Sequence, residues 1–173
     1  MTIFAAFAWP RRVLALTLAS LLALPACLVV TDDDDDDGRA CTEKGCADGF
    51  VLTLAHAGGW PAGAYRFEVV ADGKTITCSA SLPLPPCGQG PASACDAPEL
   101  TLGLSGCALP AAEHGFSELY WTTTTPASVS VEVTRDGAPL AQTQLTPTYV
   151  TSQPNGPDCG PSCRNASASM AVP

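Results

Sequence analysis

The sequence predicts an all-β domain, an immunoglobulin-like or related β-sandwich stapled by disulfides and preceded by a cleaved signal peptide. Three observations predict it. From Cys41 onward, short runs rich in β-branched and aromatic residues alternate with clusters of Gly, Pro, Asp and Asn, and none shows a sustained helical period. Two Asp-Gly pairs, Asp72-Gly73 and Asp136-Gly137, separate such runs and are preferred hairpin turns. Eight cysteines follow the N-terminal segment, an even number in a chain that begins like an exported one.

The N-terminal segment comes first. Arg11 and Arg12 form a positive patch, Val13 to Leu24 is an uncharged apolar run, and Leu24-Pro25-Ala26-Cys27 closes it. A charged patch, about a dozen apolar residues and a small residue at the cut describe a signal peptide over residues 1–26. The run is shorter than the roughly twenty residues of a membrane span. The final four residues resemble the lipobox of bacterial lipoproteins. In that family the cysteine starts the mature chain and carries the lipid, so the resemblance implies lipidation at Cys27, with Ala26 before the cut. It further implies the outer membrane as address, because Leu28 stands where Asp retains such proteins in the inner membrane. Two or three acyl chains, at roughly 0.8 kcal/mol per buried CH₂, hold a protein firmly on a bilayer.

Residues 27–40 read as an acidic tether. Asp32 to Asp37 are six consecutive carboxylates. Calcium loops space their ligands so that alternate side chains converge, whereas a continuous run repels itself and stays solvated and extended.

With Cys27 used for lipid, Cys41, Cys46, Cys78, Cys87, Cys95, Cys107, Cys159 and Cys163 read as four disulfides. Cys41-x4-Cys46 and Cys159-x3-Cys163 lack the close spacing of structural zinc knuckles, so neither a metal nor any other cofactor is expected. The pairing stays open, since eight cysteines allow 105 arrangements.

The domain spans 41–165. Strands are expected at Phe50–His56, Ala64–Ala71, Lys74–Ser81, Glu99–Leu104, Glu118–Thr124, Ser128–Arg135 and Leu140–Val150. Asp72-Gly73 sets one register: Val69 opposite Ile76, Phe67 opposite Cys78, Tyr65 opposite Ala80, with Arg66, Glu68 and Val70 facing Ser79, Thr77 and Thr75 on the other side. Cys78 then points into the core, where a bridge to the opposite sheet is expected. At Asp136-Gly137 a plain two-residue turn would oppose Val131 with Gln142, which predicts a bulge or a longer turn. Leu82 to Cys87 is a stiff proline-rich stretch, and Gly88 to Ala97 reads as a small, flexible loop. The segment from Asn155 to Cys163 is turn-rich and resembles the ends of some uncharacterised cysteine-rich bacterial lipoproteins, a likeness that implies no activity. Residues 166–173 are expected to fray as a flexible tail.

Charge narrows the function. The chain carries eight basic and seventeen acidic residues, for a net charge of −9. Removing Arg11 and Arg12 with the signal peptide leaves about −11, and setting aside the aspartate run leaves the domain near −5. Nucleic acid is therefore excluded as a partner, and anionic headgroups are not bound by charge. The bilayer is reached through acylated Cys27, and an envelope protein or glycan is the expected ligand. His56 and His114 are the only histidines, and no nucleophile elbow, zinc motif, phosphate loop or dinucleotide fingerprint occurs, so a non-catalytic module is expected. Glu113-His114 reads as a polar loop. Trp60, Tyr120 and Trp121 are the aromatics to weigh between binding and core, and core is favoured for most of them. Leu82 and Leu84, on a backbone restrained by Pro83, Pro85 and Pro86, are the candidate binding residues. The alternative functions are a structural spacer of the cell envelope and an unrecognised hydrolase.

Overall fold

A computed structural model describes residues 40–173. The expected signal peptide, Cys27 and all of the acidic tether except residue 40 lie outside the described residues. The described part is a sandwich of two five-stranded sheets. Ten strands follow in order: β1 Gly49–His56, β2 Gly63–Ala71, β3 Lys74–Leu82, β4 Ser93–Cys95, β5 Leu100–Ser105, β6 Gly115–Thr122, β7 Val129–Arg135, β8 Ala138–Leu145, β9 Val150–Ser152 and β10 Cys163–Val172. Sheet A has the order β5-β6-β1-β10-β9 and sheet B the order β4-β3-β2-β7-β8. A single 3-10 turn, Ala111–Glu113, precedes β6.

Alternation builds the core. Phe50, Leu52 and Leu54 of β1 face inward, as do Tyr65, Phe67 and Val69 of β2, and Val129, Val131 and Val133 of β7, all buried. The Asp72-Gly73 hairpin pairs in the expected register throughout. At Asp136-Gly137 the turn is two residues long and a bulge corrects the pattern. Thr134 pairs with Pro139 and Val133 with Ala141, so Leu140 is extra and Val131 meets Thr143 rather than Gln142.

Both turns use one device. Asp72 and Asp136 have φ of 49° and 52°, and each is followed by a left-handed glycine. Each aspartate also ties a neighbouring segment. The Asp72 carboxylate accepts from the amides of Ala127 (2.9 Å) and Ser128 (2.8 Å), and Asp136 accepts from the Ala64 amide (2.9 Å). The two Ser128 and Ala127 amides hold the Asp72 carboxyl below its ordinary value of 3.8.

Three expectations need correction. Residues 166–173 do not form a frayed tail: β10 runs to Val172, pairs in parallel with β1 and sits between β1 and β9. Its alanines and serines have weak strand propensity, but the neighbour supplies the bulk. Phe50 and Leu52 stand beside Ala166 and Ala168, and Leu54 stands beside Met170. The Asp48 carboxylate fixes the start by accepting from the Arg164 amide at 2.7 Å. Second, the loop expected over Gly88 to Ala97 contains β4, which pairs with β3. Third, Cys78 bridges to Cys95 on that adjacent strand, not to the opposite sheet.

All eight domain cysteines are paired: Cys41 with Cys159, Cys46 with Cys163, Cys78 with Cys95 and Cys87 with Cys107. The first two clamp the leading segment to the start of β10, at the end of the sandwich where β1 begins. The fourth ties the segment after β3 to the loop after β5 at the other end.

Candidate functional site

The strand directions give the sandwich two distinct ends. The chain joins the domain at the end held by Cys41–Cys159 and Cys46–Cys163. The opposite end gathers the loop after β1, the segment after β3, the 3-10 turn before β6 and the Asp136-Gly137 turn. There a cavity of about 400 Å³ is lined by Gly58, Gly59, Trp60, Pro61, Ala62, Pro83, Ala111 and Ala112, with no charged side chain among them. Its residues come from three separate loops.

Below the cavity the loops are held from inside. The Trp60 ring is 8% exposed and packs edge-on against Phe116 at 4.8 Å and Tyr65 at 5.6 Å. Phe67 and Phe116 extend the cluster, with centroids 5.1 Å apart. The Tyr65 hydroxyl donates to the Pro61 carbonyl at 2.7 Å, which pins the loop carrying Trp60. Gly115 leaves room for the indole: a Cβ there would meet Trp60 Cδ1 at 2.4 Å.

His114 does for the other two segments what Tyr65 does for the first. It is buried, against the expectation of a polar loop. Its Nδ1 accepts from the Leu84 amide at 2.9 Å, so the neutral ring carries its proton on Nε2 and donates to the Leu109 carbonyl, also at 2.9 Å. Both nitrogens are spent on backbone groups, leaving none to take a proton from a nucleophile. His56 packs on Trp60 at 5.0 Å, and its Nδ1 accepts from the Gly58 amide at 3.3 Å. Its Nε2 is buried with no hydrogen-bond partner among the described residues.

The sequence-level candidates fall differently from expectation. Leu82 and Leu84 are 5% and 6% exposed and belong to the core, so they are not presented to a partner. Leu82 is the last residue of β3 and points inward with Ile76, Cys78 and Ala80, because alternate residues share a face. Pro83, between them, is exposed and lines the cavity. The proline-rich segment thus reaches the site through a proline and not through its leucines. Trp60 and Trp121 are core residues, as favoured, and Tyr120 is half-buried. Sequence reasoning missed Ala62, Ala111 and Ala112, whose small side chains carry no signal of their own. Leu109, on the same loop as the 3-10 turn, is 52% exposed and adds apolar surface at this end.

Other depressions differ in lining and size. A groove of about 400 Å³ on the outer face of sheet B is lined by Glu68 and Glu132 directly opposite each other, with Gln142 and Gln144 beside them. Arg66 already pairs with Glu68 at 2.8 Å. A smaller cavity of about 120 Å³ lies under the Cys87–Cys107 bridge. Among the described residues no group of three or more His, Cys, Asp or Glu could hold a metal ion. No protein-family model, curated protein sequence or solved structure matches the chain.

Proposed function

We propose that this protein is a lipid-anchored, non-catalytic binding module of the bacterial cell envelope, which receives an uncharged apolar group of an envelope partner at the end of the sandwich opposite its attachment. The observation that carries the reading is the uncharged cavity at Trp60, assembled from three loops that buried and part-buried hydrogen bonds from Tyr65 and His114 hold in place. A concave apolar site on braced loops loses little conformational entropy when it binds. Its placement suits a tethered protein: the Cys41–Cys159 and Cys46–Cys163 bridges hold the leading segment of the domain at the other end of the sandwich. The lipobox resemblance supports the anchor, the acidic run supports a tether that anionic lipid repels, and the four disulfides suit an oxidising compartment.

The test is occlusion. A neutral apolar fluorophore, N-phenyl-1-naphthylamine, is titrated into the full chain and into Ala112→Arg, which places a long charged side chain at the cavity wall. The reading predicts saturable one-to-one binding that weakens about tenfold or more in the variant, with thermal stability unchanged, because Ala112 is exposed and packs against nothing in the core. Equal binding by both proteins would refute the site. For the anchor, Cys27→Ala should abolish lipid incorporation and partition into detergent, and a variant still processed and membrane-bound like the parent would refute it.

A further inference from the structure

Strand β10 has a neighbour on only part of its outer side. It pairs with β1 from Asn165 to Val172, but β9 covers it only from Cys163 to Asn165. Among the described residues, no strand is paired to its other edge from Ala166 to Val172, and no backbone hydrogen bond from a loop or turn reaches these residues. Strand β8 of sheet B approaches β10 without pairing with it.

Free edges are templates for further pairing, and folded proteins usually blunt them. The other edges here are blunted. Strands β4 and β9 are three residues long. Strands β5 and β8 are each interrupted by a bulge, and β8 also contains Pro139. The β10 edge has none of these devices. It offers seven consecutive residues, Ala-Ser-Ala-Ser-Met-Ala-Val, without proline, charge or bulge. Ala166 and Ala168 lie on the core face yet remain half-buried.

The geometry points to a second copy of this chain as the occupant, joined β10 to β10 in antiparallel register about a twofold axis at Ser169. Three features favour self-pairing. In a chain of net charge −9, no charged side chain lies between Asn165 and Pro173 or between Gly137 and Pro157, so two copies can meet here without like-charge repulsion at the contact. The register that uses all seven free residues pairs Ala166 with Val172, Ser167 with Ala171, Ala168 with Met170, and Ser169 with itself. That register keeps positions 166, 168, 170 and 172 on the core face of both copies and extends sheet A continuously into its partner. The outward side chains at positions 167, 169 and 171 are Ser, Ser and Ala, small enough for close approach of the two strands, and the contact is isologous and closed, as a twofold dimer requires.

Cross-linking tests both the edge and the axis. Across an antiparallel pair, opposed Cβ atoms lie about 4.5–5.5 Å apart, so a Ser169→Cys thiol meets its own copy within disulfide reach. A Ser167→Cys thiol faces position 171 and lies about 13 Å along the strand from its twin. Thr53→Cys is the control: Thr53 is exposed on β1, directly beside Ser169 but one strand in from the edge. Each variant of the full chain is treated with diamide in the membranes of producing cells and separated under non-reducing conditions. The proposal predicts a covalent dimer for Ser169→Cys, at least tenfold more abundant than for Ser167→Cys or Thr53→Cys. It also predicts that Ser169→Lys, which sets two like charges against each other at the axis, shifts the parent protein from dimer to monomer in sedimentation. Equal cross-linking at all three positions, a cross-linked product of some other mass, or sedimentation as a monomer at about 200 µM would overturn it.

Discussion

Gly115→Ala probes the support of the cavity most directly. Gly115 opens β6 and is buried. Its absent Cβ is what admits the Trp60 indole, for a methyl there would sit 2.4 Å from Cδ1, 3.1 Å from Nε1 and 3.3 Å from Cγ. The first separation is far inside van der Waals contact. The indole cannot swing freely, because Phe116, Tyr65 and His56 hold it on other sides with centroids 4.8–5.6 Å away. Overpacking of this kind costs about 1–3 kcal/mol. For a domain of this size each kcal/mol lowers the melting temperature by roughly 3–5 °C. The assay is urea denaturation with the disulfides intact, followed by far-ultraviolet circular dichroism, in parallel with probe binding. Binding should weaken together with stability, because the ring that gives way is the cavity floor. A Trp60→Leu background removes the clash, so Gly115→Ala should cost about 1 kcal/mol or more less there than in the parent, as a coupling between contacting residues. If Gly115→Ala leaves stability within about 0.3 kcal/mol of the parent, or costs the same in both backgrounds, the packing argument fails.

Further outcomes follow from the same geometry. His114→Phe should destabilise the domain by about 1–3 kcal/mol, since it strands the buried Leu84 amide and removes the partner of the Leu109 carbonyl; a neutral result in denaturant titration would contradict their pairing. Leu82→Ala should cost about 2–5 kcal/mol as a core truncation, and a loss of probe binding without loss of stability would restore it to a surface role. Removing the Cys46–Cys163 bridge by double substitution to Ala should cost about 2–5 kcal/mol, measurable as a shift in urea midpoint, and no shift would show that the clamp is dispensable. Asp72 predicts a pH effect. Its folded carboxyl titrates below the ordinary 3.8 because the Ser128 and Ala127 amides hydrogen-bond the charged form. The unfolded state therefore takes up the proton first, and the Asp72 contribution is present above about pH 3.8 and lost as pH falls through the lower folded value. Asp72→Asn should flatten the acid side of the stability profile, and an unchanged profile would remove Asp72 from the account.

The fold was legible where the sequence alternates strongly. Tyr65, Phe67 and Val69 against Ile76, Cys78 and Ala80 leave only one register with the apolar residues on one face, and that register is observed. At Asp136-Gly137 the misfit of Gln142 and the nearby Pro139 signalled a bulge or a longer turn, and the bulge is what is observed. Strand β10 was not, because alanine and serine hardly differ in bulk or propensity, so its period of two is silent until Phe50, Leu52 and Leu54 provide a surface for it. The disulfide partners were hidden for a related reason: Cys41 and Cys159 are 118 residues apart, and what brings them together is the parallel β1–β10 pair. At the candidate site, Trp60 and the proline-rich segment stood out, but the direction of each side chain did not. Strand β3 ends one residue later than expected, at Leu82, so that leucine continues the inward face; Leu84, tied to His114 through its amide, is also buried, and Pro83 between them stays at the surface. His114 reads as polar from its neighbour Glu113, whereas its two ring nitrogens are met by the Leu109 carbonyl and by the Leu84 amide, which is thirty residues away in sequence.

The most direct measurement of the central claim is a map of where an apolar ligand lands. The full chain labelled with nitrogen-15 is titrated with N-phenyl-1-naphthylamine, and backbone and indole N–H shifts are followed residue by residue. The account predicts saturable shifts confined to Gly58 to Ala62, the Trp60 indole, Leu84 and Ala111 to Gly115, with the amides at the Cys41–Cys159 end unmoved. Saturable shifts centred at the Cys41–Cys159 end, on the outer face of sheet B, or nowhere in the domain would contradict it.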